Sequence, residues 1–258
     1  MAAPDWNPET YSRFRGLRLR PALDLLAQVQ ELPEGAVVDL GCGSGAVGGA
    51  LAARFPDRDL IGVDNSPAML TEAEETGHYG TLAAVDAADW EPEEPVALIF
   101  SNAALHWLDD HEALMPRLAG FLAPGGTLAV QMPRQIFAPS HRFLREFAAD
   151  MFPDRFDFAD WRPPVAAPVD YHRMLAPVGR VSVWETDYVQ KLEAVESGHP
   201  VRRFTESTAM RPFLAKLADW EAQAFIRRYE EALASAYPVE DDGAVLFPFR
   251  RVFFTLTV

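Results

Sequence analysis

A single cysteine, Cys42, stands in this chain of 258 residues. That excludes an internal disulfide framework and a cysteine-rich metal site. Its place between Gly41 and Gly43 makes it a small packing residue rather than a nucleophile. Long hydrophobic runs are lacking too. No stretch of about eighteen apolar residues occurs, so no membrane-spanning helix is expected. The opening Met-Ala-Ala-Pro-Asp-Trp has neither the basic start nor the apolar segment of a secretory signal. Cations are scarce: 23 Lys and Arg face 38 Asp and Glu, a net charge of −15. Such a field opposes nucleic acid and anionic membrane, whose affinity comes mainly from Lys and Arg meeting phosphates. The expectation is a cytoplasmic, monomeric protein with no nucleic-acid or membrane partner, working on a small molecule.

The apolar fraction of 49% is enough for one large domain with a real core. Its most informative stretch runs from Val37 to Gly45, Val-Val-Asp-Leu-Gly-Cys-Gly-Ser-Gly. Val37, Val38 and Leu40 read as a buried parallel strand, and Gly41, Gly43 and Gly45 as a tight turn into a helix. Asp64 follows nineteen residues after Gly45, closing a second apolar run, Leu60-Ile61-Gly62-Val63. That is the place of a ribose-binding acid in a nucleotide-binding βαβ unit. Dinucleotide sites space their glycines as G-x-G-x-x-G around a pyrophosphate. Here the third glycine comes one residue sooner, and the acid Asp39 lies beside the turn. A carboxylate there repels pyrophosphate and attracts an ammonium or a sulfonium, which favours S-adenosylmethionine over NAD.

Along the chain, Pro21 is expected to begin a helix carrying Leu25, Leu26 and Val29 on one face. Ala46–Phe55 reads as a helix, and Ser66-Pro67 as the cap and first turn of the next, which Gly77 stops. Thr81–Val85, Val96–Phe100 and Thr127–Met132 read as further strands, with a helix capped by Asp109 or Asp110 before the last of them. Strands alternating with helices imply a doubly wound, mostly parallel α/β sheet. Residues 180–188, interrupted at Trp184, and 245–258 bring the expected strands to seven. Residues 205–237 read as helical. The organisation is one domain: an N-terminal helical lid segment at 1–35, a cofactor-binding core at 36–132, an inserted helical cap at 133–178 and 189–244, and terminal strands at 179–188 and 245–258.

The runs Asp39-Leu-Gly-Cys-Gly-Ser-Gly45, Gly62-Val-Asp64-Asn-Ser-Pro-Ala-Met69 and Asn102-Ala-Ala-Leu-His-Trp107, with Asp86, resemble the class I S-adenosylmethionine-dependent methyltransferases and their Rossmann-like fold. Asp5-Trp-Asn-Pro8, Arg20-Pro21, Leu128-Ala-Val-Gln-Met-Pro133, Met210-Arg-Pro212, Arg228-Tyr229 and Arg251-Val-Phe253 narrow the likeness to members that esterify a small polycarboxylic acid. Ser44 and Ala46 stand where the family often carries proline and asparagine, and His106 where glutamine is common.

The resemblance implies that Asp39, Gly41, Gly43, Asp64, Asn65, Met69, Asp86 and Asn102 bind S-adenosylmethionine. Asp64 would take the ribose hydroxyls, Asp86 the adenine amino group, and Asn102 the substrate or the cofactor's ammonium. It further implies cations that hold the acid: Arg211, Arg228, Arg250 and Arg251, with Tyr171 and Tyr188 as hydroxyl donors and Trp6 nearby. No metal is expected. A carboxylate nucleophile is already ionised at pH 7 and needs no base. His106, inside Leu-His-Trp-Leu, therefore reads first as a packing residue; it becomes a general base if the acceptor is instead a phenol, a ring carbon or a carrier-bound malonyl group. A nucleotide-binding oxidoreductase and a cofactor-binding regulator without turnover are the readings from other classes.

Overall fold

The computed structural model describes residues 15–206 and 208–258, with side chains from residue 19 onward. Trp6 lies outside them. The order of elements is α1 (Arg15–Leu26), β1 (Val37–Leu40), α2 (Gly48–Arg54), β2 (Leu60–Asp64), α3 (Pro67–Glu75), β3 (Thr81–Ala84) and β4 (Val96–Asn102). A 3-10 turn (Leu105–Trp107), α4 (His111–Ala119), β5 (Leu122–Pro133), α5 (Pro139–Met151), α6 (Pro168–Leu175) and β6 (Arg180–Leu192) follow. The chain ends with α7 (Pro200–Glu206), α8 (Arg211–Leu214), α9 (Asp219–Ala236) and β7 (Val245–Thr257).

The seven strands form one sheet in the order β3-β2-β1-β4-β5-β7-β6. β3, β2, β1, β4 and β5 pair in parallel, with Val37 opposite Leu60 and Leu98. β7 runs against them: Gly125 donates to Val258 O, while Arg134 donates to Arg250 O. β4 is fully buried until its last residue, as its continuous apolar run requires. The sheet reverses its winding between β1 and β4, which places a crevice beyond the carboxyl ends of these strands.

Two compact units emerge. The first takes residues up to 133, 164–186 and 252–258; the second takes 134–163 and 187–251. In the first, Val38, Leu40, Ile99, Leu128 and Val130 of the sheet pack with Leu114, Met115 and Leu118 of α4 and with Tyr171 and Leu175 of α6. Placing 164–178 in the cap is therefore corrected, because α6 buries its apolar face in the sheet's own core. In the second unit, Phe225, Tyr229 and Leu233 recur along one side of α9 and are fully buried, as are Leu144 and Ala148 of α5.

Other differences have local causes. Pro21 lies inside α1 rather than at its start. The helical stretch expected over 205–237 is divided among the end of α7, α8 and α9. Pro212 sits in the first turn of α8, and α9 starts afresh where the Glu221 carboxylate accepts the N–H of Ala218 at 2.9 Å. Trp184 does not interrupt β6; its ring stacks on Phe253 at 5.1 Å. The expected caps are present: Ser66 accepts from Met69 N, and Asp110 from Ala113 N. Among the described residues no helix is long and apolar enough to cross a membrane, and no group of His, Cys, Asp and Glu is arranged to hold a metal.

Candidate functional site

The carboxyl ends of β1, β2 and β4 open into a cleft within the first unit. Its floor is the turn after β1. Gly41 has φ +80°, and a Cβ there would lie 2.1 Å from the Cβ of Ala104. Only glycine lets this turn pass beneath the segment that follows β4. Gly43, also at positive φ, donates its N–H to Asp64 Oδ2 at 2.9 Å. Asp64 Oδ1 accepts from Ser66 N at 2.9 Å. One carboxylate thus ties the glycine turn to the start of α3, and each oxygen keeps a lone pair for a ligand. Asp86, just past β3, accepts from the Asn65 amide at 2.8 Å and from Ala88 N at 2.9 Å.

All eight residues expected to bind the cofactor line this cleft: Asp39, Gly41, Gly43, Asp64, Asn65, Met69, Asp86 and Asn102. Three of them are carboxylates, and no Lys or Arg is among the described lining residues. A pyrophosphate would meet only repulsion from these side chains, whereas an ammonium, a sulfonium and hydroxyl groups would be welcomed. Asp39 is almost fully buried, and burial pushes its carboxyl up to about 7. A hydrogen bond from the Tyr79 hydroxyl draws it down, and neighbouring Asp64 pushes it up. Burial and the nearby Asp39 push the Cys42 thiol far above its usual range, so it is inert, as its packing role requires.

Asn102 ends β4, and its Oδ1 is buried with no hydrogen-bond partner in the protein. A buried carbonyl left unsatisfied costs about 1–3 kcal/mol, which a donor on a ligand in the cleft would recover. The next residue, Ala103, holds φ +55°, a left-handed conformation unusual for a residue with a Cβ. It is fixed by its N–H bond to Gln131 O. Strain of this kind concentrates at ligand sites. Trp107, 60% exposed, forms one wall. His106 is half-buried with its ring tilted against Trp107 at 4.6 Å, and it is not among the residues that line the cleft.

Of the residues expected to hold the acid, none of those described lines the cleft. Tyr171 is fully buried in the first unit, its hydroxyl 2.6 Å from His111 Nδ1 and accepting from Ala166 N. It is a core residue, and the expected role as hydroxyl donor to substrate is corrected accordingly. The other described ones belong to the second unit. Arg228 pairs with Asp150 at 2.6 Å and lies over the Phe147 ring. Arg250 grips Asp187 through two bonds of 2.9 and 3.0 Å, which holds the Asp187 carboxyl below its usual range. Arg251 is buried with its guanidinium 4.9 Å from the Phe249 ring centre. Arg211 heads α8 and is exposed, and Tyr188 is half-buried on β6.

Tyr79 was not anticipated as a functional residue. It donates to Asp39 Oδ2 at 2.7 Å from forty residues away. Its sequence trace is glycine at 45, 48 and 62, where the ring finds room.

Residues 37–126 match the model of a methyltransferase domain. The chain is 42% identical over 257 residues to a trans-aconitate 2-methyltransferase of Methylobacterium radiotolerans, with 96% of each chain covered. It is 44% identical over 254 residues to that of Methylobacterium nodulans, again with 96% of each covered. Among solved structures, an S-adenosylmethionine-dependent methyltransferase from Archaeoglobus fulgidus superposes with a TM-score of 0.54 at 15% identity, covering 98% of this chain and 100% of that one. At that identity the likeness is one of fold.

Proposed function

The chain belongs to the trans-aconitate 2-methyltransferase family, and from that premise we propose that it esterifies a carboxylate of trans-aconitate or a closely similar polycarboxylic acid, using S-adenosylmethionine. What carries the acid substrate is the identity of 42% and 44% to those relatives along nearly the whole chain. What supports the cofactor's placement is the cleft with three carboxylates and the unsatisfied Asn102 carbonyl. The reading extends to a cytoplasmic enzyme with a small-molecule partner.

The cofactor supplies an electrophilic methyl group on a positively charged sulfur. Asp64 takes the ribose hydroxyls with the lone pairs left over from Gly43 and Ser66. Asp86 and Asn65 serve the adenine end, against the apolar wall of Met69. Asp39 and Asn102 hold the cationic methionine end. Gly41 and Gly43 keep the backbone low enough for that approach. The acid's carboxylate arrives ionised at pH 7, so no side chain of this chain has to take a proton from it. The protein's work is alignment and exclusion of water, which together supply roughly 7–11 kcal/mol in well-oriented reactions. This fits a cleft that His106 does not line.

Holding the remaining carboxylates is assigned to the arginines expected for it, Arg211, Arg228, Arg250 and Arg251, and Arg211, exposed at the head of α8, is the one to test first. The test is turnover with S-adenosylmethionine and trans-aconitate, cis-aconitate, isocitrate and malonate, followed as S-adenosylhomocysteine. Trans-aconitate is expected to be consumed. Arg211→Ala is expected to lower kcat/KM by roughly 10- to 100-fold, the loss of one charge-assisted hydrogen bond. Tight cofactor binding without turnover on any acid would overturn the reading.

A further inference from the structure

Tyr79 occupies the loop between α3 and β3, and its ring runs through a slot made by absent side chains. A Cβ at Gly48 would lie 2.7 Å from the ring's Cζ and hydroxyl, one at Gly62 2.9 Å from Cδ1, and one at Gly45 3.1 Å from Cε2. Three glycines, two on the turn from β1 into α2 and one on β2, admit one aromatic ring. At the end of that slot the hydroxyl donates to Asp39 Oδ2 at 2.7 Å. Tyr79 itself is not among the residues that line the cleft, while Asp39 is.

We propose that Tyr79 is a positioning residue of the cofactor site, aiming the Asp39 carboxylate at the cationic methionine end of the cofactor without touching the cofactor itself. The inference rests on the reading that places Asp39 at that end. A carboxylate has two oxygens; Tyr79 occupies Oδ2 of one that lines the cleft. The bond also selects a charge state. An ionised carboxylate accepts from a phenol more strongly than a neutral acid does, so the hydroxyl opposes protonation of Asp39. Something must oppose it, since the site is otherwise set against the charge. Burial is the largest influence, and Asp64 at the end of β2 adds a second negative charge. From β4, Ser101 brings only a hydroxyl, which donates to Leu40 O. The neighbouring Cys42 thiol and the Tyr79 phenol are both pushed upward and stay neutral. His78, next to Tyr79 in the chain, lies against Gly49.

The experiment is calorimetric binding of S-adenosylhomocysteine and of S-adenosylmethionine to the full chain between pH 6 and 9, for wild type, Tyr79→Phe, Asp39→Asn and the double variant. Phenylalanine keeps the ring in its slot and removes only the donor. Wild-type affinity is expected to fall below pH about 7, where Asp39 takes up a proton. In Tyr79→Phe the midpoint should move upward, with roughly three- to fivefold weaker binding at pH 7 that is largely recovered at pH 9, as a shift approaching one unit dictates. Asp39→Asn should bind weakly at every pH, and adding Tyr79→Phe to it should cost nothing more. A Tyr79→Phe loss that is equal at every pH, or no loss at all, would overturn the proposal. Asp39→Asn binding like wild type would instead overturn the placement of Asp39, a distinguishable failure.

Discussion

At the scale of single residues, the cofactor cleft is set against itself. Asp39 is buried where its charge is costly, and the carboxyl is pushed from 3.8 to about 7. A folded-state value above the unfolded one favours the protonated native state. The contribution to stability is therefore fully present below pH 3.8 and is lost as pH rises toward 7. Function needs the ionised form, so the ligand-free protein gives up stability to keep a charge in place. Asp39→Asn should accordingly melt higher than wild type at pH 8 and equal to it at pH 4, when both are free of cofactor. A calorimetric scan at the two values checks this, and equal melting at pH 8 would refute it. Gly41 has the opposite sensitivity. With φ +80° and Ala104 at 2.1 Å from a Cβ, Gly41→Ala should lose about 1–3 kcal/mol of stability together with most of its cofactor affinity. Glycine turn and acids were legible in the sequence because they sit in contiguous runs at strand ends. Tyr79 was not, because a hydrogen bond spanning forty residues leaves no local pattern.

At the scale of elements, α4 shows how the sheet's neighbours shape the cleft. Its first residue, His111, lies between Tyr171 of α6 and the 3-10 turn that carries Trp107 into the cleft wall. Nε2 lies 2.9 Å from Leu105 O, an acceptor only, so Nε2 carries the hydrogen and Nδ1 accepts from the Tyr171 hydroxyl. Burial holds the imidazole below its usual range, so it stays neutral in the fold. Such a depressed value means that stability is lost as pH falls below about 6.5, where the unfolded chain takes up the proton. Tyr171→Phe should cost about 1–3 kcal/mol by leaving Nδ1 buried and unpaired. KM for the acid should change less than about twofold, as expected of a core residue far from any change in charge. Denaturation and steady-state kinetics on the same variant separate this from a substrate contact, which would raise KM and leave the melting point alone. The sequence pattern places Tyr171 on a helix but does not say which core that helix joins. A short helix with buried residues at 171 and 175 fits either, and the partition of 164–178 follows from packing rather than from periodicity. The shorter helices replacing 205–237 were half visible: Pro212 marks one interruption, while the Glu221 cap that begins α9 depends on an acid whose role only the fold reveals.

At the scale of the whole molecule, a net charge of −15 faces two substrates of opposite sign. S-adenosylmethionine is cationic at its methionine end, and the acid carries several negative charges. The long-range field draws in the first and repels the second, and both effects fade as the screening length falls from about 30 Å at 0.01 M salt to about 8 Å at 0.15 M. Pairing inside a closed site is screened far less. The two association steps should therefore respond to salt in opposite directions. Between about 0.01 and 0.15 M sodium chloride, kcat/KM for S-adenosylmethionine should fall severalfold while kcat/KM for trans-aconitate rises, each measured with the other substrate saturating. The crossing identifies the global field as the cause, because screening of local contacts, carboxylates for the cofactor and arginines for the acid, would lower both together. Neutralising surface acids remote from the cleft, such as Glu93 and Glu94 before β4, should flatten both slopes without changing kcat. Parallel salt dependence for the two substrates would show that only local charges govern encounter, and that the acidic surface serves solubility alone.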